Sequence, residues 1–176
     1  SAPHNVLTST ESILKIAEKK GYSTTSEATS VLHYVDQEVE LESELLANTV
    51  TIPYSQLHTV SYKYDAETKR YVRYARGKVQ TDYSTKENIT TKNIIITFAE
   101  NYTLKDSENK GRQGLKNIGT MDGYYITNGK AIKIKCQKDS RTAKTIYKDL
   151  EGNIIDVNDG NTFINICPLD ANVTFE

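Results

Sequence analysis

The sequence predicts an α+β fold, with one helix near the start and a mainly antiparallel, hairpin-rich β-sheet from residue 49 onward. Three observations predict it. Ile13, Leu14, Ile16 and Ala17 repeat at helical spacing. From Thr49 the apolar residues alternate with polar ones, the two-residue period of strands with one buried face. Asn128-Gly129 stands between two such runs, and this pair accepts the positive φ angles of a type I′ hairpin turn.

The helix is placed near residues 9–20. Thr8, Ser9 and Thr10 are N-cap types, Lys19 and Lys20 suit the negative end of the helix dipole, and Gly21 suits the position just past the last turn. Ser23 to Ser30 is small and polar and reads as a loop, and Val31 to Val35 as a short strand. The acids of Asp36 to Glu44 alternate, which fits an edge strand with an acidic face, a loop or a helix; as a charge run it is expected to be a solvated face. It holds no Gly for the bend of a Ca²⁺ loop.

Val50 and Ile52 alternate up to Pro53, which ends a central strand or marks an edge. Val60, Tyr62 and Tyr64, a turn at Asp65 to Lys69, and Arg70 to Tyr74 make a hairpin. Asn93 to Phe98 reads as a buried strand, and Tyr102 to Gly119 as the longest irregular stretch. Tyr124 to Thr127 and Lys130 to Cys136 flank the Asn-Gly turn; Thr145–Lys148, Ile154–Val157 and Thr162–Cys167 add further strands. Residues 1–48 are read as the remainder of an N-terminal α/β portion, and 49–176 as a strand-rich C-terminal domain.

Composition narrows function mainly by exclusion. A formal charge of −1 leaves no basic field for a phosphate backbone, so no nucleic-acid partner is expected. No apolar run approaches the roughly 18 residues of a membrane span. Cys136 and Cys167 have neither metal-site nor Cys-x-x-Cys spacing; they read as buried strand residues, with a disulfide as the alternative. No phosphate loop, nucleophile elbow or zinc-protease motif is present, and no cofactor or metal is expected.

Several segments together resemble the YerB-like family of bacterial lipoproteins. They are Ala2-Pro3-His4-Asn5, Ile52-Pro53-Tyr54-Ser55, Tyr64-Asp65 with Tyr71 and Arg73, Gly77, Asp82, Lys92-Asn93-Ile94, Gly123 to Lys130, and Asp159-Gly160-Asn161-Thr162. The resemblance runs from end to end of the chain. It implies an extracytoplasmic protein of a Gram-positive bacterium, tethered through a lipidated Cys outside this chain. It also implies a further N-terminal portion, so the chain is expected to be a fragment or trimmed form. The family supplies no established chemistry.

Two functional readings follow. The favoured one is a non-catalytic binding or scaffold module of the cell envelope, its partner an envelope protein or a wall polymer. Twelve Tyr and no Trp supply amphipathic rings for such a face, with Tyr62, Tyr124 and Tyr125 as candidate ligand contacts beside Arg73 and Asp82. Arg73 would fork onto a ligand carboxylate or phosphate. The rival is an envelope hydrolase or transferase in which His4 acts as acid or base, converges with Arg73 and Asp82, and has its site completed by the further N-terminal portion.

Overall fold

A computed structural model describes residues 7–176. The chain forms two compact units, Ser1–Ser30 and Val31–Glu176. In the first, helix α1 spans Thr10–Lys20. The Ser9 hydroxyl accepts from the Ser12 N–H, and Gly21 closes the helix with φ of 66°, its N–H and that of Tyr22 reaching back to Glu18 and Ala17. Ile13, Leu14 and Ile16 are about half exposed.

The second unit is built from strands β1 (His33–Val35), β2 (Thr49–Ser55), β3 (His58–Asp65), β4 (Arg70–Ala75), β5 (Lys78–Val79), β6 (Thr90–Thr91), β7 (Asn93–Phe98) and β8 (Glu100–Thr103). After these come β9 (Gln113–Lys116), β10 (Gly119–Thr127), β11 (Lys130–Lys138), β12 (Ile146–Lys148), β13 (Asp156–Asn158), β14 (Thr162–Cys167) and β15 (Thr174–Phe175). With a single short helix among the described residues, α+β is an approximate label for a protein that is mostly sheet.

Five strands form one sheet in the order β12-β11-β10-β7-β14, and a second sheet runs β15-β2-β3-β4-β5 with β6 paired to β4. Pairing is antiparallel except for β14 with β7 and β1 with β13. Asn128 and Gly129 have φ of 49° and 75°, as a type I′ turn requires. Pro53 lies past the reach of β15, which pairs only with Val50 and Thr51, so its missing N–H deprives no neighbour.

The two sheets pack face to face. Val50, Ile52, Val60, Tyr62 and Tyr71 of one meet Ile94, Ile96, Ile126, Ala131 and Cys167 of the other. The opposite face of the five-stranded sheet carries Ile95, Tyr125, Ile134, Cys136 and Tyr147, covered by Leu41, Ile155 and Val157. Strand β7 is therefore buried on both faces, which explains its unbroken Ile run. Cys136 and Cys167 are free and buried in these two separate clusters, so the disulfide alternative is excluded.

Two expectations are corrected. The stretch from Tyr102 to Gly119 contains the β8–β9 hairpin, whose register pairs Glu100 with Lys116 and Thr103 with Gln113; its strands are exposed, so they lack the apolar alternation that marks half-buried ones. The acidic stretch is irregular, with a single bridge of Leu46 to Lys130 just beyond it, and it is not simply a solvated face, because Glu38 and Glu40 bind other segments.

Candidate functional site

Arg73 and Tyr62 are brought together as neighbours across β3 and β4. The Arg73 Nε donates to the Tyr62 hydroxyl at 3.3 Å, and its guanidinium lies 5.9 Å from the Tyr62 ring and 5.2 Å from the Phe163 ring. Asn165 completes the cluster: its Oδ1 accepts from Tyr54 at 2.8 Å and from Tyr62 at 3.1 Å. Burial pushes the Tyr54 and Tyr62 hydroxyls up in pKa, and pushes the Cys167 thiol up to about 11. The hydrogen bonds of Tyr54 and Tyr62 to Asn165 tie the two sheets together.

Asp82 does not join Arg73. It is exposed, and its Oδ1 accepts from the N–H groups of Ser84 and Thr85, which together lower its pKa. The loop does touch Arg73 through its backbone, where the Gln80 N–H donates to the Arg73 carbonyl at 2.9 Å. No hydrogen bond or ion pair links the side chains of Arg73 and Asp82 among the described residues. His4 lies outside the described residues.

The expectation of Tyr62 and Tyr125 as ligand contacts is corrected, since both are fully buried. The Tyr125 hydroxyl donates to Asn93 Oδ1 at 3.0 Å and accepts from the Asn158 N–H at 3.1 Å. A Tyr ring removes much apolar area from water when its hydroxyl finds such partners. Tyr62, Tyr71 and Tyr125 are accordingly core residues, and sequence alternation alone does not separate a core Tyr from a surface one.

Tyr124 is different. On β10 it points to the opposite face from Tyr125 and is half-buried. Phe175 lies 4.9 Å from its ring and Phe98 6.1 Å, the latter edge-on. The ring lines a hollow of about 410 Å³ with Phe98, Lys133, Lys135 and Leu150. Asp122 pairs with Lys135 at 2.5 Å across the same rim. A second hollow of about 480 Å³ shares Phe98 and Asp122 and adds Lys116, Ile118 and Leu169. The result is an aromatic groove whose rim carries Lys133 and two ion pairs, Lys135 with Asp122 and Lys116 with Glu100 at 2.6 Å.

A polar network gathers at the β10–β11 turn. Lys92, its side chain only 10% exposed, donates to Glu38 Oε1 at 2.5 Å and to Asn128 Oδ1 at 2.7 Å. Asn128 Nδ2 donates to Glu38 Oε1 and to Glu40 Oε1, both at 3.0 Å. Lys69 binds the other Glu38 oxygen at 2.6 Å. Lys69 first, then Lys92, hold the Glu38 carboxyl down at about 2. Nearby, Asn158 Oδ1 accepts from the Val39 N–H and its Nδ2 donates to the Val39 carbonyl, while Asn161 Oδ1 accepts from the Arg70 guanidinium and its Nδ2 donates to the Thr90 carbonyl.

Sequence reasoning did not assign Glu38, Lys92, Asn128, Asn158 or Asn165 to a site. The signal present was the resemblance itself, since Lys92-Asn93, Asn128-Gly129 and Asp159 to Thr162 carry it and meet here. The acidic segment that closes the network gave no such signal. Among the described residues, no group of three or more His, Cys, Asp or Glu is arranged to hold a metal ion. No helix there is long and apolar enough to cross a membrane.

Comparison with known proteins places this architecture. The profile described as "Protein of unknown function (DUF3048) C-terminal domain" matches residues 50–164. A Bacillus subtilis (strain 168) protein named "Putative lipoprotein YerB" is 28% identical, over 96% of this chain and 50% of its own length. The crystal structure of YerB from Bacillus subtilis superposes with a TM-score of 0.78 at 25% identity, covering 99% of this chain and 57% of that one. The chain thus spans about half the length of this relative.

Proposed function

The chain belongs to the DUF3048 C-terminal domain family, and from that premise we propose that it is a non-catalytic binding or scaffold module of the cell envelope. The reading places it outside the cytoplasm, in a protein held at the membrane by a lipid anchor beyond this chain, as the lipoprotein name of its relative suggests. The partner is a wall polymer or an envelope protein, met through the groove that Tyr124 lines.

One observation carries this reading. The Tyr124 ring, braced by Phe98 and Phe175, sits half-buried in an open hollow flanked by Lys133 and Lys135. A braced ring offers a flat face for sugar or apolar groups at little entropic cost, and adjacent ammonium groups attract anions. The ring face suits the sugar units of a wall polymer, while Asp122 offsets Lys135 and Glu100 offsets Lys116 along the same hollows. The rest of the polar inventory supports binding over catalysis. Arg73 is taken up between rings, Asp82 by its own loop, and both thiols are buried.

The test is co-sedimentation of the chain with purified cell-wall sacculi carrying their anionic polymers. Wild type should bind, Tyr124→Ala and Lys133→Glu should bind much less, and Arg73→Ala should bind as wild type if it still folds. Equal binding by wild type and Tyr124→Ala would overturn the groove. Capture of an envelope protein through Tyr124, with no sacculus binding, would select the protein partner. Turnover of a wall-derived substrate would overturn the non-catalytic reading.

A further inference from the structure

The Lys92–Glu38–Asn128 contact holds the parts of an amide-forming reaction. The Lys92 amine lies 2.7 Å from Asn128 Oδ1, so the carbonyl carbon is at most one C=O bond further away. That approaches the separation at which positioned groups react. One carboxylate oxygen, Glu38 Oε1, contacts both the nucleophilic nitrogen, at 2.5 Å, and the nitrogen that would leave, at 3.0 Å. The Lys92 side chain is only 10% exposed, which shields the amine, while Glu38 at 38% keeps one edge of the contact open to solvent.

We propose that Lys92 and Asn128 form an intramolecular isopeptide bond, with Glu38 as the proton shuttle. Glu38 Oε1 takes a proton from the Lys92 ammonium. The freed amine attacks Asn128 Cγ, forming the Nζ–Cγ bond and placing the developing negative charge on Oδ1. Oε1 returns the proton to Nδ2 as the Cγ–Nδ2 bond breaks. Over the whole step the ammonium nitrogen gives up two protons and Nδ2 departs with them as ammonium, so Lys92 ends as a neutral secondary amide and Glu38 is unchanged. No oxidant, reductant or cofactor takes part.

Lys69 sets the pace of this step. It binds Oε2 at 2.6 Å and weakens Glu38 as a base. The reaction turns over once per molecule, so a slow step suffices. The product would tie the β6–β7 junction to the β10–β11 turn, and a cross-link of this kind stabilises by restricting the unfolded chain.

Intact mass of the denatured chain, taken after prolonged incubation of the folded protein, is the test. The wild type should be lighter than its sequence by one ammonia, and a protease digest should yield a branched peptide joining Lys92 to Asn128. Lys92→Arg and Glu38→Gln should show the full mass while circular dichroism shows them folded. Lys69→Met should reach the lighter mass sooner than wild type. Ring closure at Asn128-Gly129 also expels ammonia, so a deficit that persists in Lys92→Arg would overturn the proposal. A wild-type chain of full mass would overturn it as well.

Discussion

Replacing Tyr71 with Phe isolates one hydrogen bond at the turn that positions Asn128. The Tyr71 ring is fully buried, and its hydroxyl accepts from the Gly129 N–H at 2.9 Å. Gly129 is itself buried, with Asn48 Oδ1 and the Tyr64 ring close to where a Cβ would stand. Removing the hydroxyl therefore leaves a backbone donor with little room for water to replace it. Leaving a buried donor unpaired costs about 1–3 kcal/mol. For a domain of this size each kcal/mol moves the midpoint by about 2–4 °C, so Tyr71→Phe should melt roughly 2–12 °C lower. Tyr64→Phe is the matched control. Tyr64 packs on Tyr71 at 5.1 Å between ring centroids but is only half-buried, and its hydroxyl has no hydrogen-bond partner among the described residues. It should stay within about 0.5 kcal/mol of wild type. Guanidinium titration and thermal melts followed by circular dichroism measure both. A Tyr71→Phe chain as stable as wild type, or a Tyr64→Phe chain equally weakened, would refute the reasoning.

Two further outcomes follow from the same structure. Glu38 has its carboxyl held down to about 2 from an ordinary 4.5, so its contribution is present above pH 4.5 and lost as pH falls toward 2. Lys69 is the largest cause of this lowering, followed by Lys92, so Glu38→Gln should flatten the stability loss across that window in acid denaturation; an unchanged slope would remove Glu38 from the account. Gly123→Ala should destabilise strongly, because its Cβ would meet the Ile96 backbone carbonyl on one side and Cys136 Sγ at 2.9 Å on the other, with β10 locked between β7 and β11. Overpacking typically costs about 1–3 kcal/mol, so a midpoint in guanidinium equal to wild type would contradict the close approach.

Sequence alone determined what is local in this protein. The Ser9 cap and Gly21 stop bound the helix, the Asn128-Gly129 pair selected its turn and the strand ends that flank it, alternation located β3, β4 and β11, and the apolar run located β7, because each signal lies within a few residues of the element it specifies. The β8–β9 hairpin escaped because its exposed strands need no apolar face. Tertiary structure decided the rest. Whether a Tyr is core or surface depends on which sheet covers it, so Tyr62 and Tyr125 became buried hydrogen-bonded residues while Tyr124, next in the chain to Tyr125, lines an open groove. The parallel pairing of β14 with β7 and of β1 with β13 joins segments far apart in sequence. So does the meeting of Glu38, Lys92 and Asn128, for which none of the three carries a local signal. Contacts of that kind depend on how the two sheets close over each other and where the acidic segment crosses them, and no short window of residues encodes that closure.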